Sequence, residues 1–135
     1  VEGMDGDWVF VDWADKPMDK HGQLAFEQIL FRKSLEAIAA VAKLTGNDEE
    51  GNAYQEKADE LGNKLMQFFW NDDKQALVHN RLNGKQSEDV FRYPNMFAII
   101  FGYLDEQRQA DREEFCNPQR GRSQNNNTLH ALLRT

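Results

Sequence analysis

Two apolar stripes of helical period, joined by a tight turn, constrain this chain more than any other feature of its 135 residues. From Gln23 onward, Leu24, Phe31, Leu35, Ile38 and Ala42 recur at spacings of seven, four, three and four, the signature of one helix face. Glu27, Arg32, Glu36 and Lys43 lie off that stripe. Gly46 ends the helix, because a residue without Cβ enters the left-handed conformation freely. Asn47 or Asp48 then caps a second helix, and Asp48, Glu49 and Glu50 suit the positive end of its dipole. The second stripe is Tyr54, Ala58, Leu61, Leu65 and Phe68. A link this short forces the two helices into an antiparallel hairpin.

The flanking segments read differently. Residues 1–22 lack a helical period and are rich in Gly, Asp and Trp, which predicts a long loop; Val9, Phe10 and Val11 are its one candidate strand. Residues 71–90 are rich in turn formers: Ala76-Leu77-Val78 is a short apolar run, and Asn83-Gly84 is a two-residue hairpin signal. A third helix is expected to start near Pro94 and to present Phe97, Ile100, Phe101 and Leu104. Asp105 caps a fourth, short helix ending by Phe115. The run Phe68, Phe69 and Trp70 reads as core. The expected fold class is all-α: stacked antiparallel helical hairpins with a small β-hairpin excursion.

Charge excludes several partners. Sixteen Lys and Arg face twenty-three Asp and Glu, a net of −7, which argues against nucleic acid and against an anionic membrane surface. No stretch approaches the ~20 apolar residues of a membrane span. The single Cys116 allows no internal disulfide and leaves the compartment unread. His21, His79 and His130 are too scattered for a metal site. Without a glycine-rich phosphate loop or a nucleophile elbow, no cofactor is expected. Every acidic residue lies at or before Glu114, whereas the last twenty-one residues hold Arg120, Arg122 and Arg134 and no acid. Such a break marks a domain edge or a tail.

The candidate site is the loop at 5–15, where Asp7-Trp8 and Asp12-Trp13 set carboxylates beside large flat rings. Sugars need that combination: a carboxylate accepts hydrogen bonds from vicinal hydroxyls, while an indole covers the C–H face of the ring. The rival reading is that the tryptophans anchor the loop to the core and the aspartates cap turns, and the residues alone leave both open. Glu27 and Gln28, at the start of the first helix, read as surface residues that a cleft-lining loop would carry to its rim. Glu88-Asp89 near Tyr93 reads as a solvated charge pair at a helix start.

The order of these pieces resembles a known family. Gly6-Asp7-Trp8-Val9-Phe10-Val11-Asp12-Trp13, then Ala25-Phe26-Glu27-Gln28-Ile29-Leu30, is similar to the catalytic domain of bacterial α-L-rhamnosidases. Phe69-Trp70-Asn71-Asp72, Asn83-Gly84-Lys85 and Asn95-Met96-Phe97-Ala98-Ile99-Ile100-Phe101-Gly102 follow in the family's order, so the likeness covers roughly residues 3–115. The resemblance implies a fragment of a six-hairpin α/α toroid whose centre holds the sugar. It also implies inverting hydrolysis of terminal α-L-rhamnose by an acid and a base carboxylate ~6.5–9.5 Å apart. In the family the acid lies upstream of the Gly-Asp-Trp segment and the base well downstream, so no catalytic residue is expected here and the isolated chain should be inactive. What carries over is the sugar subsite: Asp12 and Trp13 first, then Asp7 and Trp8. The partner implied is a rhamnose-containing glycan or glycoside.

The end of the chain departs from the family, whose members continue with a segment like Ile-Thr-Thr-Pro-Tyr-Met-Arg-Phe-Tyr-Glu. Here Asn125-Asn126-Asn127-Thr128-Leu129-His130-Ala131-Leu132-Leu133-Arg134 stands instead. Codons for these ten residues exist that, read from the second base, encode the family's segment. The expected organisation is therefore a partial toroid domain at 1–115 and an atypical tail at 116–135, either translated out of frame or native and merely polar. A fragment with bare helix flanks should also associate with itself. The alternative from a different class is a helical-hairpin protein-interaction module, against which stand the length of the first helix and the lack of a 34-residue repeat.

Overall fold

The computed structural model describes residues 19–105 together with residue 108. The elements run β1 (Gln23–Leu24), α1 (Ala25–Leu44), α2 (Asp48–Phe69), β2 (Trp70–Asn71), β3 (Ala76–Leu77), β4 (Asn80–Leu82), β5 (Lys85–Gln86) and α3 (Arg92–Ile100). The hairpin of α1 and α2 dominates the packing, as the two stripes predicted.

Its turn is closed by backbone and side-chain hydrogen bonds together, with the Thr45 hydroxyl donating to Ala42 O at 2.9 Å. Asn47 N donates to Ala42 O at 2.9 Å and Gly46 N to Lys43 O at 3.1 Å, the paired bonds of a Schellman motif, with Gly46 at φ 82°. The Asn47 side chain then accepts from Glu50 N and donates to Glu50 Oε2 at 2.6 Å, so Asn47 rather than Asp48 is the cap. The helices run antiparallel at close range. A Cβ on Gly51 would meet Ala39 O at 3.0 Å, and one on Gly62 would meet the Arg32 guanidinium at 2.6 Å.

The β excursion is larger than one hairpin. β4 and β5 join through Asn83 and Gly84, both at positive φ (51° and 78°), as a two-residue turn matching strand twist requires. β1 adds to β4 with Gln23 opposite Arg81 and Leu24 opposite Asn80, and β2 pairs with β3. Gln23 and Leu24, expected as helix, are therefore strand. Ala25 N donates to His79 O at 2.9 Å, which ties the first turn of α1 to this sheet.

The core gathers Ala25, Ile29, Leu65, Phe69, Trp70, Leu77, Val78, Ala98 and Leu104. It differs from the predicted stripes in an instructive way. α1 buries Ala25, Gln28, Ile29, Leu35, Ala39 and Ala42, whereas Phe31 and Ile38 stand exposed. α2 buries Gly51, Ala58, Gly62, Leu65 and Phe69, with Tyr54, Leu61 and Phe68 half-buried. Small residues on α2 admit α1 closely, so shape rather than side-chain size chose the buried face. On α3 the buried residues are Pro94, Asn95 and Ala98, and Ile100 is exposed. Asp105 caps as expected: its Oδ1 accepts from Arg108 N at 2.9 Å. The expected strand at 9–11, the body of the fourth helix and the tail at 116–135 lie outside the described residues. No helix among the described residues is long and apolar enough to cross a membrane.

Candidate functional site

The chain enters the sheet at Gly22, downstream in sequence of the two Asp-Trp pairs. Gly22 (φ 73°) passes so close to β4 that a Cβ would lie 2.5 Å from Arg81 O, so this approach requires glycine. Immediately before it, the Asp19 carboxylate accepts from His21 N at 3.0 Å, lies 2.6 Å from His21 Nδ1, and accepts from Asn80 Nδ2 at 3.0 Å. Asn80 Nδ2 donates as well to His21 O at 3.1 Å. His79 Nε2 lies 2.7 Å from Asp19 O; a carbonyl oxygen only accepts, so Nε2 carries the hydrogen.

Both β-side partners are pre-set. His79 and Asn80 are buried, and the His79 ring meets Phe91 edge-on with centroids 4.7 Å apart. His79 N donates to Asp89 O at 2.8 Å, and Asn80 N bonds the Ser87 hydroxyl at 3.3 Å. The Asp19 carboxyl is held below its ordinary value, first by the backbone N–H of His21, against the opposing effect of burial, and then by the side chains of His21 and Asn80. A carboxylate kept ionised and filled with donors is an anchor, not a proton donor. The cluster's chemistry is to fix the base of the loop.

Below it, three amides stitch the excursion to the helices. Asn95 is fully buried: Oδ1 accepts from Leu77 N at 2.9 Å, while Nδ2 donates to Leu77 O and Phe91 O, each at 3.0 Å. It pairs the open edge of β3 as another strand would. Gln86 Nε2 donates to Phe68 O at 3.1 Å and Trp70 O at 2.9 Å, and its Oε1 accepts from Asn71 Nδ2 at 3.0 Å. Nothing in the sequence pattern distinguishes Asn95, Gln86, His79 or Asn80 from surface polar residues.

The sequence-predicted site residues Asp7, Trp8, Asp12 and Trp13 lie outside the described residues. Glu27 and Gln28, read from sequence as surface residues, are not solvated. Gln28 is buried, Glu27 is half-buried with Oε2 shielded from water, and both are engaged. Closing β1 onto β4 turns the first helical turn inward. Glu88 behaves as expected, exposed and paired with Lys74. No group of His, Cys, Asp and Glu among the described residues is arranged to hold a metal ion.

Hairpin and β excursion define a mostly helical domain. Residues 6–124 match the mannosylglycerate hydrolase MGH1-like glycoside hydrolase domain, and the chain belongs to that family. The match contains both Asp-Trp pairs and leaves residues 125–135 beyond it. The fold is similar to the GH78-family rhamnosidase of Bacillus sp. GL1, with a TM-score of 0.69 and 26% identity over 80% of this chain. The chain spans 11% of the length of that rhamnosidase. This agrees with the resemblance read from the sequence and with a fragment of an α/α toroid. No curated protein matches the chain.

Proposed function

We propose that this chain is the sugar-subsite portion of a glycoside hydrolase of the α-L-rhamnosidase type, acting on a terminal α-L-rhamnose with inversion. The observation that carries the reading is the likeness to the GH78-family rhamnosidase, and the glycoside hydrolase family match across residues 6–124 includes Asp7-Trp8 and Asp12-Trp13. Asp12 and Trp13, then Asp7 and Trp8, grip the sugar: the carboxylates take its hydroxyls and the indoles its C–H face. The loop's charge favours a neutral sugar over an anionic one. Residues 5–15 hold four aspartates and no Lys or Arg, so a glycerate-bearing substrate would meet repulsion there.

The acid and base stand outside these residues, so the isolated chain is inactive. The partner is a rhamnose-containing glycoside. The alternative of a helical interaction module has no comparable match behind it.

The test is binding and turnover together. Titration of the chain with L-rhamnose, followed by tryptophan fluorescence, should show saturation that Asp12→Ala and Trp13→Ala abolish, while mannosylglycerate binds more weakly. Nitrophenyl α-L-rhamnoside should be hydrolysed no faster than background, because binding groups alone do not replace a general acid worth roughly 10²–10⁴-fold. Turnover that is lost in Asp12→Ala would overturn the assignment of the catalytic groups elsewhere; rhamnose binding indifferent to both substitutions would overturn the subsite.

A further inference from the structure

Asn83-Gly84 is the single Asn-Gly step in the chain, and it forms the exposed tip of the β4–β5 hairpin. The turn uses the pair for its shape, but the same pair has a second chemistry. The backbone N of the residue after an asparagine can attack the side-chain Cγ and close a five-membered ring. A Cβ on that following residue hinders the approach, and glycine leaves it open. The Asn83 side chain is exposed and holds no hydrogen bond among the described residues. In a two-residue turn the ladder bond joins the flanking residues, here Leu82 and Lys85, which leaves the Gly84 N–H outside it. A Cβ on Gly84 would meet one atom within 4 Å, Arg81 Nη2 at 3.8 Å, so the turn is open. Arg81 is fixed beside it from two sides. Its Nε donates to Gly84 O at 3.1 Å, and its guanidinium carbon lies 4.3 Å from the Phe68 ring centroid.

We propose that Asn83-Gly84 is a site of spontaneous deamidation, with the Arg81 guanidinium as its assisting cation. Gly84 N gives its proton to solvent hydroxide, and its electron pair forms the bond to Asn83 Cγ. The bond from Cγ to the carboxamide nitrogen breaks, and that nitrogen leaves as ammonia with a proton from water. A water then opens the ring at either carbonyl, leaving aspartate or isoaspartate at position 83. A cation held at Gly84 favours loss of the amide proton, because negative charge builds on that nitrogen. The isoaspartyl product changes the fold. It routes the main chain through the side-chain carbon and adds one atom to a turn whose length sets the register. The pairing of Leu82 with Lys85 and of Arg81 with Gln86 is then lost, and Gln86 is the residue that holds Phe68 O and Trp70 O at the end of α2. Aspartate keeps the turn, since Asp-Gly suits it as Asn-Gly does. The inference is independent of the sugar reading.

The 135-residue chain, aged in warm and mildly alkaline buffer, should gain isoaspartate steadily with time. The readout is methyl transfer from S-adenosylmethionine by an isoaspartyl methyltransferase, with the methylated position located by peptide mass mapping. The signal should map to position 83 and should be absent from Asn83→Gly, whose Gly-Gly turn keeps the hairpin. Arg81→Gln should slow the gain about two- to fivefold, the scale of an exposed charge interaction. The aged chain should melt below the fresh one, whereas freshly made Asn83→Asp should melt with the fresh chain. Four results would each overturn the proposal: no isoaspartate at position 83, methyl acceptance undiminished in Asn83→Gly, an Arg81→Gln rate equal to or above the native one, or fresh Asn83→Asp melting as low as the aged chain. None of these readouts involves a sugar, so such a failure leaves the rhamnoside reading standing.

Discussion

Asp19 carries its carboxyl below the ordinary value of 3.8 because His21 N–H, His21 and Asn80 all favour the charged form. A lowered carboxyl stabilises the fold above that value and loses the contribution as pH falls through its folded-state value. Asp19→Asn should therefore lower the melting temperature at pH 6, and the gap from the native chain should narrow as the pH falls below 3.8. Melting curves by circular dichroism measure it, and a gap independent of pH would count against the anchoring role. Asn95 makes a sharper case. Its amide satisfies Leu77 N–H, Leu77 O and Phe91 O inside the core. Asn95→Ala should cost about 3 kcal/mol in urea unfolding, because three buried polar groups lose their partner at once. A cost below about 1 kcal/mol would show that the edge of β3 finds other partners.

At the level of elements, the connections carry the strain. Gly46 and Gly22 both sit at positive φ, 82° and 73°, but their surroundings differ. A Cβ on Gly46 meets nothing within 4 Å, so Gly46→Ala should cost only the conformational term, about 1–2 kcal/mol. A Cβ on Gly22 lies 2.5 Å from Arg81 O, a backbone atom fixed in β4. Gly22→Ala should cost clearly more than Gly46→Ala in the same denaturant titration, and equal costs would show that β1 can leave β4 freely. The loop that carries Asp12 and Trp13 is attached through this crossing, so Gly22→Ala should also weaken rhamnose binding, whereas Gly46→Ala should not.

For the whole molecule, the break in composition after Glu114 and the end of the family match at residue 124 bear on the tail. From the break in composition we infer that 116–135 is not built to pack on the domain, while the family match itself runs on through residue 124. Deleting residues 117–135 should then shift the melting temperature of the chain by no more than about 2 °C, the scale of a change below ~0.5 kcal/mol. A larger drop would make the tail part of the fold.

Local chemistry was legible from the residues themselves. The Gly46 stop, the Asn47 cap, the Asn83-Gly84 turn and the Asp105 cap all follow from what a few consecutive atoms can do, and all stand where the pattern puts them. The existence and direction of the α1–α2 hairpin follow in the same way, from period and link length. The inward face of α1 followed only in part: Leu35 and Ala42 are buried as the stripe predicts, whereas Phe31 and Ile38 are not. That helix is apolar on two sides, so periodicity cannot choose between them, and Phe31 and Ile38 lose to Ala39 because the Gly51–Gly62 side of α2 admits a helix only where its side chains are small. The anchoring cluster was equally hidden. Asp19 meets His79 and Asn80 across sixty residues of chain, and nothing local in any of the three records that contact. Tertiary structure decides such pairings because they depend on how two distant segments are held in register, a property no single segment contains.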